Sequence, residues 1–482
     1  MVTTKGVTKG HHPLYKELAE IVGADYVRDD DTTLWSYSKD SSVYHVKTKP
    51  QGIVVRPGST EDVVEIVKLA NRTLTPIVPR GGACSLGGLV PGVPGRAIVL
   101  DMTRMNRIIK IDEGNKVVVV EAGINECEMI QILNERGWDS FHSGVQPYYT
   151  TTIGGHVSGP SAGAGLHLSR GWNWKSIVGL KIVLPNGDVI ETNRWNIYQD
   201  EGQPFRWVPA PDLTGFFQGT YGAFGVATEA TIRIYKLAPL RDGGIVFFDT
   251  FDNVYKVLYE LADVDPHPAE LIFCPVPSTS RIMMFPEKWG FIYALEGRNE
   301  EELNYKRNFI HQACLKEGGK LGTESQNATG VGLLKTFWKD MGTASTFGMW
   351  VLLETILGRE EFPGFWREHT EWREKFIREN GMEGKVMSIE FFFPIDETFV
   401  IANELFYDDN DPEMREKMLR MSETWMGWIL HKGRISFEAA CGWVMSKILP
   451  KYFTPEYRDI LLTLKRAMDP NNIMNPGVLG LP

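Results

Sequence analysis

A chain of 482 residues is too long for one ordinary core, and its length points to two or three domains. Its charged fraction is 23% and its net charge −10, with no block of like charge, so the basic face of a nucleic-acid binder is missing. Met1 to Tyr15 is polar, without the apolar stretch of a secretory signal, and no window approaches the ~20 apolar residues of a spanning helix. A cytoplasmic protein with no membrane span is expected. The five cysteines, Cys84, Cys127, Cys274, Cys314 and Cys441, are scattered, with no Cys-x-x-Cys pair. Their spacing supplies neither a self-contained zinc or iron–sulfur site nor a disulfide framework.

Pro13 to Val22 has helical spacing. Gly52 to Pro57 is a short apolar strand. Ser59 and Thr60 then cap an amphipathic helix through Val63, Ile66, Val67 and Leu69, and Pro76 to Pro79 is the next strand. Strand, helix, strand and a glycine turn make a βαβ pattern. Three β-rich runs follow, Ala97–Asp101, Arg107–Ile111 and Lys116–Glu121, and then a helix from Asn125 to Arg136. Gly179 to Thr192 reads as a hairpin, because Asn186-Gly187 supplies the positive φ angles of a tight turn. Gly222 to Ile234 is a strand that closes this half.

From about Leu240 the pattern changes. Strands are expected at Gly244–Phe248, Glu270–Phe273, Phe291–Leu295, Met387–Phe393 and Thr398–Tyr407, with helices at Asp252–Leu261, Asn299–Lys316, Asp411–Leu430 and Thr454–Met468. This is an α+β pattern: an antiparallel sheet with helices on one face.

Four segments carry chemistry. The first, Pro79-Arg-Gly-Gly-Ala-Cys-Ser-Leu-Gly-Gly88, follows a strand. Glycine lets backbone approach a ligand, and successive N–H groups make an anion nest suited to a pyrophosphate. The segment matches neither the G-x-G-x-x-G fingerprint nor the P-loop. The second, Thr150 to Gly165, is long, uncharged and rich in small residues, as backbone pressed against a planar cofactor would be. Close packing of elements is the plainer account of any single glycine there. The third is Asp212 to Thr231. The fourth, Asp469 to Gly480, is by itself a helix stop followed by turns.

Together these segments resemble the FAD-binding proteins of the p-cresol methylhydroxylase and vanillyl-alcohol oxidase superfamily, and within it the branch of the glycolate oxidase FAD subunit and D-lactate dehydrogenase. The resemblance is specific over residues 52–235 and in the tail, and weak over 240–450. It implies a two-part FAD-binding domain at 1–238, an α+β substrate or cap domain with an antiparallel sheet at 239–450, and a C-terminal segment, 451–482, returning to the first domain. It also implies the FAD contacts. Pro79, Arg80, Gly81, Gly82, Ser85 and Leu86 would wrap the pyrophosphate. Thr152, Gly155, Ser158, Ser161 and Gly163 would lie along pyrophosphate and ring, Gly225 and Val226 by the adenine, and Asn475 by the flavin. Gly, Ala and Cys stand in the first loop where a covalent histidine often sits, so FAD is expected to be non-covalent.

The branch's metal ligands are not reproduced. Phe392–Phe406 has no histidine, and Ile435–Gly442 keeps Ser436 and Glu438 but has Ala439 where a histidine belongs. No metal is expected. Oxidation needs a base for the hydroxyl proton. His142, His156, His167, Glu438, Tyr148 and Tyr149 are candidates, although a lone histidine or tyrosine is more often structural. Arg434 is a candidate fork for a substrate carboxylate. The expected function is dehydrogenation of a small 2-hydroxy acid such as D-lactate or glycolate, with electrons passed to an iron–sulfur or other acceptor subunit in an oligomer. Oxidation of an aromatic alcohol, or a flavin electron-transfer subunit without its own substrate, are the alternatives.

Overall fold

The computed structural model describes residues 12–38, 40, 43, 52–84, 96–140, 150–159, 168, 173–194, 205–207, 209–328, 348–434 and 448–482. Three cores organise them. The first is built on β1 (Val27–Arg28), β2 (Ile53–Val55), β3 (Ile77–Arg80) and β4 (Ile98–Asp101). The sheet order is β1-β2-β4-β3, and β4 runs parallel to both neighbours. The expected strand–helix–strand unit is therefore opened, with β4 inserted between its two strands. Helix Thr60–Thr73 covers this sheet. Ser59 caps it by accepting a hydrogen bond from Asp62 N, and Val63, Ile66, Val67 and Ala70 are buried beneath it.

β5 (Ile108–Asp112), β6 (Val117–Glu121), β8 (Ile177–Val183), β9 (Val189–Glu191) and β10 (Val226–Arg233) form an antiparallel sheet of order β5-β6-β10-β8-β9. β7 (Trp138–Asp139) and β11 (Tyr235–Lys236) pair as a separate ribbon. The β8–β9 turn falls where the Asn-Gly pair predicts it, with Gly187 at φ +89°.

The remaining sheet has seven antiparallel strands: β12 (Leu240–Phe248), β13 (Leu271–Pro275), β14 (Trp289–Gly297), β15 (Lys320–Leu321), β16 (Met349–Gly358), β17 (Met387–Ile395) and β18 (Thr398–Tyr407), in the order β15-β12-β14-β13-β17-β18-β16. Side chains alternate between its two faces. Val246, Phe248, Phe392 and Ile401 pack under helices Phe251–Leu261, Glu300–Lys316, Phe362–Glu379 and Pro412–His431. Ile245, Phe247, Phe273, Phe391, Phe393 and Val400 share the opposite core with Val120, Ile153, Val157, Phe217 and Ile232 of the N-terminal half. The helices thus lie on one face, and the inner face rests on the first half of the chain. Strand β16 and helix Phe362–Glu379 are absent from the sequence expectations: Trp350 to Leu357 is nearly all apolar, and an unbroken apolar run does not separate strand from helix by period. No helix among the described residues is long and apolar enough to cross a membrane.

Candidate cofactor site

Strand β3 and the turn after it are where the separate segments meet. Beyond Arg80 the chain turns through Gly81, Gly82 and Ala83, the last at φ +57°. A Cβ on Gly82 would sit 1.5 Å from the Thr150 carbonyl oxygen, and one on Gly81 would sit 2.1 Å from Thr152 Oγ1. No side chain fits at either position, so glycine here is a requirement of close backbone approach. Thr152 Oγ1 accepts from Gly155 N at 3.2 Å and caps helix Ile153–Ser158. Ser158 closes that helix, and its carbonyl accepts from Tyr221 N at 2.9 Å.

The C-terminal tail reaches the same strand. Met474 bridges Ile77 in parallel, and Asn475 N donates to the Ile77 carbonyl at 2.9 Å. Asn475 Nδ2 donates to the Tyr221 carbonyl at 2.6 Å, while its buried Oδ1 has no partner among the described residues. Next to Tyr221, Gly222 lies against Pro79, whose Cγ would be 2.7 Å from an added Cβ. Gly225 (φ +155°) and Val226 open β10, with Val226 buried and opposite Val183. Lys465, fully buried, fastens this junction: its Nζ donates to Asp469 Oδ2 (2.7 Å), Ala223 O (2.9 Å) and Met474 O (2.6 Å).

Beside the Gly81–Gly82 turn lies a cavity of about 420 Å³, bordered by Tyr37, Arg80, Gly82, Asp101, Asn125 and Thr152 among others. Arg80 Nη1 donates to the Tyr37 carbonyl at 2.8 Å, and its guanidinium sits 5.0 Å from the Tyr37 ring centroid. Burial draws the Arg80 pKa down, but a guanidinium starts so high that it stays charged. The acid of the wall, Asp101, is compensated: Arg56 Nε lies 3.3 Å away, Thr103 N and Oγ1 donate to it, and Tyr37 OH donates at 2.5 Å. Burial and Asp101 together push the Tyr37 phenol up to about 12, which keeps it a donor.

Of the other proposed residues that are described, Pro79, Gly155, Ser158, Gly225, Val226, Asn475, His156 and Arg434 are not part of this cavity's lining. His156 is buried in helix Ile153–Ser158 with Nδ1 3.8 Å from Glu126 Oε2, and burial holds its pKa down to about 3, so the ring is neutral. Arg434 pairs with Glu361 at 2.9 Å, within the helix layer on the outer face of the cap. Tyr149, Glu438, Ser85, Leu86, Ser161 and Gly163 lie outside the described residues, as do His142, Tyr148 and His167. Sequence reasoning missed Lys465, Glu354 and Glu404. The last two are buried on the inner face of β16 and β18, beside Trp350, Leu352 and Phe406. Their signal was available: one acid inside an otherwise apolar strand run, as in Trp350 to Leu357.

Residues 51–193 match the FAD binding domain family, and residues 241–479 match the C-terminal domain of FAD linked oxidases. Between them they account for most of the chain. Its two domains are those of the FAD-linked oxidases, and its cofactor is FAD. A crystal structure of p-cresol methylhydroxylase with substrate bound superposes with a TM-score of 0.81 at 18% identity, covering 100% of this chain and 99% of that one, which establishes the shared fold. The chain is 26% identical to the glycolate oxidase subunit GlcD of Bacillus subtilis over 264 residues, 55% of this chain and 53% of that protein. It is 30% identical to a mitochondrial D-lactate dehydrogenase [cytochrome] of Arabidopsis thaliana over 240 residues, 49% of this chain and 40% of that one. It therefore spans about half the length of these two relatives. The D-2-hydroxyglutarate dehydrogenase of Stutzerimonas stutzeri matches at 24% over 96% of this chain and 98% of its own.

The described residues fit FAD. The Gly81–Gly82 turn leaves backbone open to a diphosphate, Arg80 brings a positive charge, and Asn475 Oδ1 is a buried acceptor awaiting a donor.

Proposed function

We propose that this chain is an FAD-dependent dehydrogenase that oxidises a CH–OH group of a small organic molecule held between its FAD domain and the inner face of the seven-stranded sheet, and passes the electrons to a partner protein. The convergence of four distant segments along β3 and the turn after it carries this reading. Arg80 and the backbone N–H groups of residues 81–83 hold the diphosphate, with the Thr150 and Thr152 segment closing over it, and Asn475 accepts a hydrogen bond from the cofactor. When bound, FAD supplies the hydride acceptor. The protein supplies the dry, shaped site: the inner face of β17 presents Phe391 and Phe393, with Phe273 4.4 Å from Phe391 between ring centroids.

The names of the relatives support a 2-hydroxy acid, such as D-lactate or glycolate, as substrate. A specific observation favours an aromatic alcohol instead. Strands β16, β17 and β18 carry no lysine, arginine or histidine, and the acids buried on their inner face are Glu354 and Glu404. A substrate hydroxyl would donate to a carboxylate there. Anaerobic titration of the purified flavoprotein separates the readings. Bleaching of the flavin band by D-lactate or glycolate establishes the hydroxy acid, and bleaching by vanillyl alcohol alone establishes the aromatic one. A flavin that no alcohol reduces would sink both and leave an electron-transfer subunit.

A further inference from the structure

The outer side of the seven-stranded sheet, away from the FAD domain, holds polar side chains that the oxidation reaction does not use. Alternation places Thr355, Glu390 and Asn403 there, under helices Phe362–Glu379 and Pro412–His431. Glu390 and Asn403 are directly opposite in register. Thr355 pairs with Ile401, one diagonal step from Asn403 on the same face. His369 and Arg373 descend from the first helix and Trp425 from the second, with the rings of His369 and Trp425 6.2 Å apart.

Arg373 and Glu390 satisfy one another in part, with Nη1 2.5 Å from Oε1 and both side chains less than a tenth exposed. Asn403 Nδ2 donates to Ser388 Oγ at 2.7 Å. Five other buried atoms have no hydrogen-bond partner among the described residues: His369 Nδ1 and Nε2, Asn403 Oδ1, Thr355 Oγ1 and Trp425 Nε1. Left dry, that many would consume a large part of a domain's net stability. They are also chemically mixed. The indole N–H only donates, the amide oxygen only accepts, and the hydroxyl and neutral imidazole do both. An anion would want donors alone, and a cation would want acceptors, while the charges of Arg373 and Glu390 cancel locally. Water is the small molecule that offers both roles at once.

We infer that this polar cluster is a buried hydration site: ordered water molecules bridge His369, Asn403, Thr355 and Trp425, and so join the helix layer of the cap to its sheet. Burial, and Arg373 close by, hold His369 neutral at a pKa of about 3, which leaves one ring nitrogen to donate and one to accept.

Two measurements on the full-length holoenzyme test it. A crystal structure at a resolution that shows waters is expected to carry density within hydrogen-bond distance of at least two of the five atoms. Thr355→Val keeps the shape of the side chain and removes only the hydroxyl. If that hydroxyl holds water, the variant melts lower by about 1 °C. If it is dry, deleting an unsatisfied polar group raises Tm. A rise in Tm overturns the inference. So does the absence of water density at these atoms, which decides the matter even if the variant fails to fold.

Discussion

At the scale of single residues, Gly82 and the buried histidines are the informative positions. Gly82→Ala forces a methyl group into the Thr150 carbonyl, so the turn must open at the place proposed for the diphosphate. Affinity for FAD should fall at least tenfold, about 1.4 kcal/mol, read as flavin retained after gel filtration. Gly364→Ala, in a helix with open space around the new methyl, should keep its flavin. A Gly82→Ala protein that retains FAD as well would remove this turn from the site. His156 and His369 make a second residue-level prediction. Each is fully buried with its pKa held near 3 against an ordinary 6.5, His156 beside Glu126 and His369 beside Arg373, which is itself paired with Glu390. The unfolded chain therefore binds more protons than the folded one between those values. Their contribution to stability is complete above pH 6.5 and is lost as pH falls towards 3, at up to about 1.4 kcal/mol per pH unit for each ring. Thermal melts from pH 8 to pH 5 should show the decline below 6.5, and it should be shallower in His369→Phe. An equal slope in that variant would mean that His369 takes up no proton on unfolding.

At the scale of elements, the C-terminal helix Pro455–Met468 and the tail act as a clasp. Lys465 is the buried member of an otherwise exposed or half-buried helix. Its three hydrogen bonds join that helix to the tail at Met474 and to the loop at Ala223. Removing one member of a buried ion pair strands the other, at about 3–5 kcal/mol. Lys465→Ala should lose about that much stability in denaturant unfolding, and lose flavin too, since the clasp positions Asn475. A variant of wild-type stability would show that the tail is held elsewhere.

For the whole molecule, the proposed cofactor site draws on residues from Arg80 to Asn475, so ligand binding and folding should be linked across nearly the full chain. At 100-fold excess over its dissociation constant FAD should stabilise the native state by about 2.7 kcal/mol, visible as a rise in Tm with added FAD. The same core, with Ile153 and Val157 on one side and Phe391 and Phe393 on the other, joins the two halves, so both should melt in one transition. Separate melting of the halves would count against a shared core.

The elements were legible where periodicity, caps and glycines act locally. Helix Thr60–Thr73 with its Ser59 cap, the Asn186-Gly187 hairpin and helix Glu300–Lys316 all follow from nearest-neighbour chemistry. So did the glycine turn after β3, because only close backbone approach explains such a run. What the tertiary structure decided was everything set by non-local neighbours. No local rule inserts β4 between β2 and β3. Lys465 and Asp469 read along the chain as an ordinary i,i+4 surface pair, and only the packing of Ala223 and Met474 buries them. Glu354, Glu404 and Glu390 are three acids in apolar strands, and sequence alone does not say which side of the sheet each faces. Register and layer placement put the first two towards the FAD domain and the third under the helices, because a strand's alternation becomes inside or outside only once both of its faces are covered.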